Sequence, residues 1–159
     1  MLKNLDIYLN DHLAGAVAAL ELLANLREQH KDEPLGDVFG TLKVDIDADK
    51  AALREVMRSL GIEESTVRQT GAWAAEKVAR ARLKIAGDQP GLVLALEGLI
   101  MGINGKRMLW RSLAVAKVLN PSKWDFEKLE RRAKDQIERA EAGRIQAAQR
   151  AFHGASDQD

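Results

Sequence analysis

The 159-residue chain contains no cysteine. Disulfides, thiolate nucleophiles and thiolate metal sites are therefore excluded. Histidine is nearly as scarce. His12, His30 and His153 are the only three, and no Ser-His-Asp arrangement can be argued from them. There are three prolines, Pro34, Pro90 and Pro121, each between helical patterns, where proline is tolerated. Charge of one sign is not in excess: 24 basic residues balance 24 acidic ones. A global basic field for nucleic acid or an anionic membrane is absent. The most apolar run, Leu92 to Ile103, is shorter than a bilayer requires and contains Glu97. The N-terminal MLKNLDIYLNDHL carries acids and amides within its pattern and does not read as a signal peptide. The expectation is a soluble cytoplasmic protein without a membrane or nucleic-acid partner. Glycine-rich phosphate loops, nucleotide fingerprints and zinc spacings are also missing. Asn104-Gly105-Lys106 lacks the glycine pattern that would precede it in a Walker sequence. With one tyrosine and three phenylalanines, bulk falls to Trp73, Trp110 and Trp124, read as packing anchors.

What remains is helical patterning, with no convincing β alternation. The chain organises around Gly91 to Leu119. At about 100° per residue, Leu92, Leu96, Leu99, Ile103, Lys106, Trp110, Leu113 and Lys117 share one face of this central helix. Its first half is apolar almost all round, as expected of a helix buried on more than one side. Gly98 and Gly102, one turn apart, suit close helix approach; a kink between Gly102 and Gly105 is the alternative. Pro121 should end the helix at Asn120.

A first helix is expected from Leu2 to Gln29, with Leu9, Leu13, Ala16, Leu20 and Leu23 inward and His12 within the stripe. A second runs from Pro34 to Leu60, frayed or broken near Gly36 and Gly40, and ends at Gly61. A shorter helix covers Thr66 to Ala86. The last helix runs from a cap at Ser122 to Phe152, with Phe126, Leu129, Ala133, Ile137, Ala140 and Ala147 inward. Residues 1–153 form one bundle domain, and Gly154 to Asp159 read as a mobile tail.

Four long helices with a longer connection between the second and the central one suit an all-α, up-down four-helix bundle. The order resembles the ferritin-like fold and is similar to small YciF-like bacterial proteins. The resemblance covers Leu2 to Phe152 and rests on helix order. It implies a di-iron or di-manganese centre built from a Glu on each of two helices and a Glu-x-x-His on each of the others. That pattern is largely unfilled. Glu21 could stand for the first-helix acid, Asp45 or Asp49 for the second, Glu97 for the central one, and Glu127, Glu130 or Glu138 for the last. No histidine follows at the required spacing. The expectation is a ferritin-like bundle without a metal site and without a cofactor.

Opposite charges in apolar seams are the sharper signal. Asp49 lies midway between Leu42 and Val56 on the inward face of the second helix, and Asp45 one turn earlier. Lys106 is inward on the central helix. A lone buried charge is very costly and a paired one tolerable. Lys106 should therefore pair with Asp49 or Asp45, with His12 as a hydrogen-bond partner, in a buried polar cluster. Lysine chemistry would require a depressed pKa, which two nearby carboxylates oppose. Arg107 and Arg111 form a small basic patch, as do Lys77, Arg80, Arg82 and Lys84, but strong nucleic-acid binding needs more phosphate contacts.

Three functions fit this reading. The first is a structural or protein-interaction role, without catalysis, in a chain that self-associates as a dimer. The second is a divergent di-iron or di-manganese carboxylate protein for oxidation or metal storage. The third is a small-ligand carrier.

Overall fold

The structure, a computed structural model, describes residues 2–65, 89–120 and 123–153. Four helices account for most of them: α1 (Leu2–Gln29), α2 (Pro34–Ser59), α3 (Gln89–Ala116) and α4 (Phe126–Phe152). The helix expected over 66–86, with Trp73 and its basic residues, lies outside the described residues, as does the 154–159 tail.

Local chemistry explains most boundaries. Pro34 opens α2, where a missing N–H costs nothing. At its end the Gly61 N–H donates to the Arg58 carbonyl and the Ile62 N–H to the Met57 carbonyl. Gly61 has φ +67°, the left-handed residue this double closure requires. The expected break near Gly36 and Gly40 does not occur: α2 runs through both. A Cβ on Gly36 would overlap the His30 carbonyl oxygen, so this glycine admits the preceding turn against the helix. α3 stops at Ala116, short of Asn120, because Lys117 takes φ +49°. Lys117 is therefore exposed beyond the helix, contrary to its projected inward position. α4 starts at Phe126, not near Ser122: the Asp125 carboxylate accepts the Lys128 N–H at 2.8 Å and caps it.

α1 packs on α2 and α3 on α4, and the two hairpins meet along α1–α3 and α2–α4. The core lies in two clusters. One gathers Leu23 and Leu26 from α1, Leu35, Phe39 and Ile46 from α2, Leu92 to Ile103 from α3, and Ala133 to Ala147 from α4. The other gathers Leu9 and Leu13, Leu53 to Met57, Leu109 to Leu113, and Phe126. The first cluster thus takes the C-terminal halves of α1 and α4 and the N-terminal halves of α2 and α3. α2 and α3 therefore run in the same direction, and α1 and α4 run opposite to both. The connection between α2 and α3 joins opposite ends of a bundle about 40 Å long at 1.5 Å per residue. Each buried leucine or isoleucine contributes roughly 2 kcal/mol. Trp110 anchors the second cluster, stacked on Phe126, which stacks in turn on Trp124.

Gly98 and Gly102 do not bring helices together among the described residues. A Cβ at either position would meet nothing within 4 Å. α3 also continues unbroken through Gly102 and Gly105.

Candidate functional site

Between the two apolar clusters lies a polar layer. Asp49 of α2 is 1% exposed and Gln136 of α4 is 0% exposed. Asp49 falls between Ile46 and Leu53, one in each cluster. Gln136 falls between Ala133 and Ala140, so helical spacing alone turns it inward.

The Asp49 carboxylate is fully enclosed by donors. Its Oδ1 accepts both arms of the Arg132 guanidinium, from Nε at 2.7 Å and from Nη2. Its Oδ2 accepts from Lys106 Nζ at 2.5 Å and from Gln136 Nε2 at 2.8 Å. Lys106 also donates to Gln136 Oε1, which closes a ring of three side chains. A forked guanidinium on one oxygen and a charge-assisted bond on the other offset the cost of burying the acid. The Lys106 stem reaches across the bundle, because α2 and α3 sit on a diagonal.

One acid here serves two bases, which shows in Lys106. Burial pulls its ammonium below the usual lysine range, and Arg132 adds to that; Asp49 opposes both. Asp45 opposes the shift as well, but from a distance: of the two acids only Asp49 touches the amine, and burial prevails over both. Asp45 is held instead by Arg139, which also donates to Thr41 Oγ1 at 3.3 Å. His12 stands apart from the ring as well. Its imidazole lies edge-on to Tyr8, with centroids 4.7 Å apart, and faces Gly105 of α3. Burial pulls it below the ordinary histidine range, partly opposed by Asp11. Of the expected cluster, Asp49 and Lys106 come together, while Asp45 and His12 lie beside them with other neighbours.

The other carboxylates that resemblance brought forward are dispersed. Glu21 is exposed on α1. Glu97 is half-exposed, with Arg144 at 3.7 Å. Glu130 is nearly buried at the α3–α4 edge, facing Arg107 and Lys134 at 3.4 Å and Arg111 at 3.8 Å. That carboxylate draws in Arg107, while Arg111 stays 68% exposed beside it. Among the described residues, no three histidine or acidic side chains gather where they could hold a metal ion. No described helix is long and apolar enough to cross a membrane.

Sequence reasoning missed Gln136, Arg132 and Asn10. Asn10 is buried on α1; its Nδ2 donates to the Glu63 carbonyl at 3.2 Å and its Oδ1 accepts the Ser65 N–H at 2.8 Å. It ties the chain leaving α2 to α1. An amide one residue after an inward leucine gave no periodic signal.

Comparison with protein-family models, with curated proteins and with solved structures gave no match.

Proposed function

We propose that this chain is a metal-free, ferritin-like bundle that works by association, as a structural or protein-interaction component that forms a dimer, and not by chemistry at its centre. One observation carries the reading: the mid-height acid, Asp49, spends its oxygens on Arg132, Lys106 and Gln136. A di-metal centre needs several acids pointing at a common point, with lone pairs free. Here two cations of the chain itself stand beside the single acid. The opposed helix directions and the long α2–α3 connection support the ferritin-like part of the reading. The layer also weighs against a small-ligand carrier, because side chains from three helices fill it.

The test is metal analysis of protein purified with added Fe(II) or Mn(II). The expected content is far below one ion per chain and unchanged in Asp49→Asn. About two ions per chain, lost in that variant, would establish the divergent di-metal reading instead.

A further inference from the structure

The outward face of α3 has no partner within the described chain. Leu94, Met101, Met108 and Val115 are 49, 64, 49 and 72% exposed and recur every seven residues. Gly98, Gly105 and Ser112 follow the first three by four residues each. The face therefore alternates large and small at steps of four and three, the spacing of a helix-pairing seam. Gly98 and Ser112 are exposed, and a Cβ at Gly98 meets nothing described within 4 Å; Gly105 is partly covered from one side, with the His12 ring 3.9 Å from a Cβ built there.

We propose that this face pairs with the same face of a second copy, with the two α3 helices antiparallel and the two-fold axis level with Ile103. In that single register Leu94 sits over Ser112 of the other copy, Gly98 under its Met108, and Met101 over its Gly105. Each of these large side chains then lies over a small residue. The charges along the seam's edge choose the same direction. Glu97, Asn104 and Arg111 are also seven apart, and among the described residues Glu97 and Arg111 hold loose ionic contacts at 3.7 and 3.8 Å. Antiparallel pairing sets Glu97 of one copy between Arg107 and Arg111 of the other, and the axis repeats the contact. Parallel pairing would set glutamate on glutamate, arginine on arginine and glycine on glycine. Edge charges of this kind fix orientation in helix pairs. The proposal rests on the reading that the chain acts by association, and it names the surface.

The cysteine-free chain allows a direct test. Under mild oxidation Asn104→Cys should cross-link two copies, since position 104 lies beside the axis. Leu94→Cys alone should not, because its copies stand about 27 Å apart along the axis at 1.5 Å per residue. A mixture of Leu94→Cys and Ser112→Cys should link. Sedimentation should show a dimer for the parent chain. Met101→Lys with Met108→Lys should give a monomer of unchanged helicity, as both positions are exposed. A monomeric parent chain would overturn the proposal. So would self-linking of Leu94→Cys, or an intrachain link between position 101 and a cysteine within 66–88. A metal-loaded antiparallel dimer would refute the proposed function and spare this pairing; a metal-free dimer in which Leu94→Cys links to itself would do the reverse.

Discussion

His12 shows what a single side chain contributes to this bundle. Burial between α1 and Gly105 lowers its affinity for protons relative to the unfolded chain. Below the ordinary value of 6.5 the unfolded chain therefore takes up a proton that the folded chain refuses. Stability must fall as pH drops through that window and recover as it rises. The melting temperature should decline between about pH 7 and pH 5.5, and His12→Gln should remove much of that decline. An equal decline in the variant would show that the imidazole is not buried. Asp49 was legible from sequence because an acid in a leucine seam stands out. Gln136 carried the same positional signal without a charge to draw attention. Arg132 lies at the rim of its helix face, so periodicity alone treats it as solvated. The partner of Asp45 could not be read either, because the choice between Arg139 and Lys106 depends on how α2 and α4 are rotated against each other.

At the scale of elements, the spans of α1 and α2 followed from apolar spacing, Pro34 and Gly61. The turn between α3 and α4 did not. There a non-glycine residue in the left-handed region, Lys117, ends one helix, and Asp125 caps the next; Ser122 lies outside the described residues. Such choices are made by packing, since Val118, Leu119 and Trp124 fold back onto the second cluster. Glycines separate by the same criterion. Gly36→Ala pushes a methyl into the His30 carbonyl, and overpacking of that kind costs about 1–3 kcal/mol. Gly15 lies exposed on α1 with open space around it, so Gly15→Ala should gain up to about 1 kcal/mol from helix propensity. Urea unfolding of the two variants should move their midpoints in opposite directions. A loss of similar size in both would mean that the α1–α2 turn is looser than described.

Among the described residues, two apolar clusters are joined through an ionic layer that touches α2, α3 and α4. Its arrangement changes what sequence alone would expect of Lys106→Met. A lone Asp49 would cost several kcal/mol, but the Arg132 fork remains, so the loss should be about 1–3 kcal/mol, the scale of an unmet charged hydrogen bond. Asp49→Leu should be worse, about 3–5 kcal/mol, because it leaves Lys106 buried with only Gln136 to receive it. The combined variant removes acid and amine together while Arg132 turns outward. Equilibrium unfolding of the parent, the two single variants and Asp49→Leu/Lys106→Met is the most direct test of the layer. The double variant should be more stable than the sum of the single losses by more than about 1 kcal/mol, the signature of residues in contact. Additivity within about 0.3 kcal/mol would contradict the account, because it would mean that Asp49 and Lys106 do not meet.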